Sequence, residues 1–177
     1  MASTNMKVCI IDLETTGTDA SRHEIIEIGA VIFDSALPQY AHPIDMKVKP
    51  VHLETGDPGA FKVNGYVKEE WESALPLKEA LQKLQREAHG CVFMAYNVCF
   101  DWSFIDAGYK SVGLRNPFNY HKLCLMTYAW SKMPQATSLK LRDMCTALGI
   151  APEPEVHRAL NGAKRAFEVY KKLSTQL

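Results

Sequence analysis

The chain has no excess charge of either sign: 20 Lys and Arg stand against 20 Asp and Glu, for a formal net charge of zero. That excludes the global cationic field behind tight, sequence-blind duplex binding but leaves room for a local basic patch. Paired cysteines are missing too. Cys9, Cys91, Cys99, Cys124 and Cys145 are odd in number, widely separated and contain no C-x-x-C pair. This argues against a disulfide scaffold and a zinc ribbon, and the five read as reduced, mostly buried thiols. No apolar run approaches the roughly 18 residues of a membrane span; the richest, Cys91–Tyr96, is strand-length. Met1–Met6 has neither the charged nor the apolar region of a signal peptide and reads as a flexible lead. Free thiols without targeting signals point to a cytoplasmic protein. There is no internal repeat, low-complexity tract or long linker.

What is present is an ordinary globular composition, 47% apolar and 23% charged over 177 residues. That is enough chain for one sizeable core, and residues 7–177 read as a single domain. The early part predicts strands at 7–13, 25–34 and 44–48, the last closed by Pro50. Residues 51–75, with Gly56, Pro58, Gly59 and Gly65, read as irregular with one short helix near Ala60. From Pro76, Leu77, Ala80, Leu81 and Leu84 fall on one helical face. Cys91–Tyr96 reads as a buried strand. Helical segments are predicted around 101–112, 123–133, 138–148 and 158–174, the last striped by Leu160, Ala163, Phe167, Tyr170 and Leu173. Strands in hairpin order followed by helices and a buried strand give an α/β class, a mixed central sheet flanked by helices.

Asp12-Leu-Glu-Thr-Thr-Gly17 carries the first chemistry. Asp12 and Glu14, two apart at the end of an apolar strand, share one face. Two adjacent carboxylates repel unless a cation sits between them. Mg²⁺ or Mn²⁺ takes such oxygen ligands and keeps positions open for water and phosphate. Thr15, Thr16 and Gly17 offer hydroxyls and N–H groups in a tight turn, suited to a terminal nucleotide. The competing reading is a solvated strand end.

Ile11-Asp-Leu-Glu-Thr-Thr-Gly17 with Glu24-Ile-Ile-Glu-Ile-Gly-Ala30 resembles the first motif of the DEDDh 3′→5′ exonucleases, a branch of the ribonuclease H-like fold. Ala95-Tyr-Asn-Val-Cys-Phe-Asp101 resembles the second motif, usually A-H-N-x-x-F-D, and His157-Arg-Ala-Leu-Asn-Gly-Ala163 the third, usually H-R-A-x-x-D-A. The motifs lie in family order and spacing across nearly the whole chain. The resemblance implies a two-metal site using Mg²⁺ or Mn²⁺ at a single-stranded DNA or RNA 3′ end, releasing nucleoside 5′-monophosphates. Carried over, Asp12 would bridge both ions, Glu14 would bind the ion on the nucleophile side, and Asp101 would hold the second through water. His157 would be the general base. Thr15 and Thr16 would contact the terminal sugar and base, and Asn97 would help position substrate. Tyr96 departs from the usual second-motif His but still offers a hydroxyl donor.

The larger departure is Gly162, at the place of the family's fourth carboxylate. Asn161 is one helix step away, about 100° around the axis, and its neutral amide suits a hard cation poorly. Glycine also costs a helix about 1 kcal/mol relative to alanine, so propensity does not account for it. Three explanations stand: an engineered replacement that traps substrate, a natural pseudo-enzyme that binds 3′ ends, or an active variant using water or a substrate oxygen. The expectation is a metal-dependent exonuclease impaired at this position. The rivals are a catalytically inactive nuclease-fold module binding 3′ ends or a partner protein, and a small-molecule metallo-hydrolase on another α/β fold. Trp71, Trp102, Phe61 and Tyr66 read first as core, with Trp71 the best candidate to stack on bases instead, because it follows a charged, irregular segment that would border the cleft. Lys164, Arg165, Lys171 and Lys172 read as a solvated helix face.

Overall fold

The computed structural model describes residues 6–151 and 154–175, so the expected lead, Met6 apart, lies outside the described residues. Five strands form one sheet in the order β3-β2-β1-β4-β5: β1 Lys7–Thr15, β2 Ile25–Asp34, β3 Leu37–Lys47, β4 Val92–Ala95 and β5 Lys122–Cys124. β1, at the centre, runs antiparallel to β2 and parallel to β4. Among the described residues the fold also has six α-helices, α1 Pro58–Asn64, α2 Leu77–Glu87, α3 Val98–Ser111, α4 Leu125–Lys132, α5 Leu141–Ala147 and α6 Ala159–Ser174, and short 3-10 turns at Leu53–Thr55 and Lys68–Trp71. None among the described residues is long and apolar enough to cross a membrane.

The period of two along β1 divides the core. Cys9, Ile11 and Leu13 join Leu81 and Leu84 of α2 and Phe104 and Ile105 of α3 on one face. Val8 and Ile10 join Met144 of α5 and Ala163, Ala166 and Phe167 of α6 on the other. With helices on both faces, β1 is apolar almost without alternation, as buried central strands are. Asp12 and Glu14 continue the second face at the strand's C-terminal end, where apolar packing gives way to α6.

Several sequence expectations shift. The third strand is longer than 44–48, because β3 is an edge strand and tolerates Pro38 and Pro43 there. The helix expected over 123–133 is preceded by β5, whose three residues are too few to reveal a period. Pro76 is the N-cap of α2 rather than part of its first turn. In α6 the buried face centres on Ala159, Gly162, Ala163 and Ala166, while Leu160 and Tyr170 are half-exposed. Small residues let the helix lie close against β2 and β1. Gly29 extends this fit: a side chain there would run into the backbone of Ala159 and Leu160. Phe33 anchors the far end, with ring centroids 4.9 Å from Phe167 and 5.1 Å from Tyr170.

Candidate active site

The first turn of α3 and the first turns of α6 come against the C-terminal end of β1, at the centre of the sheet. Asp12 is half-exposed, whereas Glu14 and Asp101 are buried. Asp101 Oδ1 has no hydrogen-bond partner among the described residues. Burial pushes the Asp101 carboxyl far above the usual carboxylate range, and the Glu14 charge pushes the same way. The backbone N–H groups of Asp101 itself and of Leu13 only partly offset this. Two buried carboxylates that disfavour each other's ionised form are relieved by a cation.

A hard divalent ion fits this donor set, because all three side chains offer carboxylate oxygens and one oxygen is buried without a partner. The side chains are not closed into a cage. Among the described residues, no group of three or more His, Cys, Asp or Glu is drawn together tightly enough to hold an ion as it stands.

The turn after β1 is differently arranged from the sequence expectation. The Thr15 hydroxyl donates to Gly17 O at 2.6 Å, and the Thr16 hydroxyl accepts from Glu24 N at 2.9 Å. Thr16 N also donates to Glu24 O at 2.9 Å. Both hydroxyls are therefore engaged within the turn, and Thr16 is fully buried. Asn97 is exposed at the N-cap of α3, with a side chain that makes no capping bond. His157 is exposed just before α6, and its N–H donates to Val63 O at 3.1 Å.

Gly162 faces Asp12. A Cβ built on Gly162 would overlap the Asp12 carboxylate. The third-motif position thus lies against the first-motif acid, and here the Asp12 carboxylate fills the space a side chain at 162 would need. Tyr96 does not reach into the site as a donor. It packs in the α4–α5–α6 face of the core, its hydroxyl is buried without a partner among the described residues, and burial pushes its pKa up to about 12.

Trp71 takes the core reading and not the stacking one. It is buried, its indole N–H donates to Ile26 O at 2.9 Å, and Lys47 Nζ sits 3.9 Å over its ring. Trp102 packs edge-on against Phe93 and Phe118, and Phe61 lies 5.3 Å from Tyr66, both half-buried. On α6, Lys171 pairs with Glu168 at 2.7 Å and Arg165 donates to Ala151 O and Asn161 O, as a helix face does.

Two residues that sequence reasoning passed over belong to this neighbourhood. Glu27 lies opposite Glu14 in the β1–β2 register and is buried. Its carboxylate accepts from Ala159 N at 3.1 Å and from Arg158 Nη1 at 3.3 Å. It therefore caps α6 from another strand, while the local N-cap, Arg158, makes no side-chain capping bond. The visible signal was a charged residue inside the apolar run Ile25–Ala30.

A mixed five-stranded sheet with helices on both faces and acids at the end of its central strand defines a ribonuclease H-like nuclease fold. The nuclease domain of 3′hExo, described as a DEDDh family member bound to rAMP, superposes with a TM-score of 0.78 at 17% identity, over 99% of this chain and 95% of that one. The chain matches the RNase T exonuclease family over residues 9–170 and belongs to it. It is 27% identical over 169 residues to the PolC-type DNA polymerase III of Thermotoga petrophila, across 94% of this chain and 12% of that protein. It is 30% identical over 125 residues to ribonuclease T of Haemophilus influenzae, across 62% of this chain and 54% of that protein. The chain thus spans about half or less of these relatives.

Proposed function

We propose that this chain is a divalent-metal-dependent 3′→5′ exonuclease of the DEDDh type, acting on single-stranded DNA or RNA ends and releasing nucleoside 5′-monophosphates, with a metal site altered at Gly162. The observation that carries the reading is the burial of Glu14 and Asp101, with Asp101 Oδ1 lacking a hydrogen-bond partner among the described residues, at the strand end where Asp12 meets Gly162 of α6. Asp12, Glu14 and Asp101 would hold Mg²⁺ or Mn²⁺, which supplies Lewis-acid activation of water and neutralises charge at phosphorus. His157, exposed just before α6, accepts the proton of the attacking water at an imidazole nitrogen. Asn97, exposed at the start of α3, orients the terminal nucleotide. Thr15 and Thr16 act by shaping the turn beneath the terminal sugar. The names of the relatives, a DNA polymerase and a ribonuclease, leave both nucleic acids as substrates to test.

The Gly162–Asp12 contact supports a second reading, a 3′-end binding module without turnover, since one family carboxylate is missing. Removal of one preorganised electrostatic group costs roughly 10²–10³ in rate. The test is a 5′-labelled single strand incubated with Mn²⁺ and this chain, beside Gly162→Asp. The proposal expects slow or absent shortening from the 3′ end by the parent and faster shortening by the variant. Equal rates would refute the role given to position 162. No shortening by either, with 3′-end affinity retained, would favour the binding module.

A further inference from the structure

The start of α6 is tied to its surroundings by two carboxylates, Glu27 on β2 and Glu70, and by a backbone carbonyl at the end of α1, with His157 directly before it in the chain. Arg158 Nη1 donates to Asn64 O at 2.8 Å as well as to Glu27 Oε1 at 3.3 Å. Its other terminal nitrogen, Nη2, lies 3.5 Å from Glu70 Oε2, which also accepts from Lys47 Nζ at 2.9 Å. Asn64 is buried at the end of α1, and its amide donates to Thr15 O at 3.0 Å, next to Glu14. The chain of contacts therefore runs from the acidic strand end through Asn64 to Arg158, and back through Glu27 to the strand paired with β1. His157 precedes Arg158 and is pinned separately through its N–H to Val63 O.

We infer that Glu27 and Arg158 are positioning residues, which fix the backbone at His157 and the start of α6 by clamping α6 to β2 and to α1. A basic residue beside a nuclease site invites the opposite assignment, a direct grip on substrate phosphate. The geometry argues against it, since the guanidinium is spent on a backbone carbonyl and two protein carboxylates. Glu27 fits the clamp for an independent reason. A carboxylate buried on the sheet is costly unless paired and hydrogen-bonded, and here it meets both a cation and a helix N-terminal N–H, where negative charge is favoured. One glutamate thus caps the helix and orients the arginine.

This inference rests on the exonuclease reading only for the task assigned to His157, so its test has two readouts. The first is amide hydrogen exchange on the full chain. Glu27→Ala and Arg158→Ala are expected to lower protection at His157 and Ala159 by roughly tenfold or more while strand β4 stays protected, since local opening is separable from global unfolding. Glu27→Gln, which keeps one of the two acceptor oxygens and turns an amide donor toward the other partner, is expected to recover only part of that protection, and Arg158→Lys, whose compact ammonium cannot reproduce the planar fork, is not expected to recover it. The second readout is Mn²⁺-dependent cleavage by the same variants, in the parent or in Gly162→Asp if only that is active. kcat is expected to fall roughly 10- to 100-fold, the scale of about 1 Å of misplacement, with KM and 3′-end affinity within about twofold. A rise in KM with kcat unchanged would make Arg158 a substrate-binding residue and overturn the inference. So would unchanged protection at His157 and Ala159, or uniform loss across β4. If no variant cleaves, the exonuclease reading fails by itself and the exchange pattern still decides the clamp.

Discussion

At the residue scale, Gly162 does two things at once. It withholds a carboxylate, and it leaves the Asp12 carboxylate room to lie against α6. Restoring a side chain therefore requires Asp12 to rotate, which its short flexible end allows. Gly162→Ala isolates the steric part. Its Cβ displaces Asp12 without adding a ligand, while alanine gains the helix about 1 kcal/mol. The expected outcome is weaker Mn²⁺ binding, read by calorimetry, with a melting temperature no more than a few degrees from the parent. A lowered melting temperature with unchanged Mn²⁺ binding would contradict the contact.

Asp101 makes a pH prediction at the same scale. Its native pKa is raised by burial and by Glu14, so above the ordinary carboxylate pKa of about 4 the native state holds a proton the unfolded chain has released. The native state then binds more protons, and this group's contribution to stability is lost as pH rises through the raised pKa. In chelator, denaturant unfolding is expected to show stability falling with rising pH, and Asp101→Asn is expected to flatten that slope. A slope of equal size in Asp101→Asn would place its origin elsewhere.

At the element scale, α6 is the part on which the site depends, and its approach is set by small residues on both sides. Gly29 is the counterpart of Gly162. A Cβ at Gly29 meets the Ala159 and Leu160 backbone, which cannot turn aside as a side chain does. Overpacking of this kind costs about 1–3 kcal/mol, or roughly 2–12 °C for a chain of this size. Gly29→Ala is expected to lower the melting temperature by that order and to loosen α6, seen as exchange at Ala159 and Leu160. An unchanged melting temperature would mean that α6 can ride outward freely.

Much of the element map was legible because hydrophobic period and length agree. β1 and β2 show long apolar runs, and α2 shows Leu77, Ala80, Leu81 and Leu84 on one face. β5 was hidden because its three residues carry no period, and β3 was cut short because proline discounts a strand unless it lies at an edge. On α6 the expected stripe holds at Ala163, Phe167 and Leu173, and what it missed is Ala159, Gly162 and Ala166, the small residues that let the helix lie close to the sheet.

At the scale of the whole molecule, the sheet brings together acids that the sequence separates by almost ninety residues. Asp12 and Glu14 could be paired from spacing alone, whereas Asp101 entered only through the motif resemblance. Glu27 and Arg158 are 131 residues apart, and no local pattern links them, so their contact had to come from the fold. Trp71 was open between core and cleft for a related reason: its charged, irregular flank suggests a cleft, but the loop folds inward and gives its N–H to Ile26 O.

The function proposed for this chain requires the acidic strand end to be a cation site, and Mn²⁺ binding tests that most directly. Titration followed by calorimetry or by the Mn²⁺ paramagnetic signal should detect binding to the parent chain and tighter binding, by roughly tenfold or more, to Gly162→Asp, on the scale seen when a metal site gains or loses one supporting group. Asp101→Asn should bind weakly or not at all. Mn²⁺ binding of equal strength to the parent and to Asp101→Asn would contradict the site.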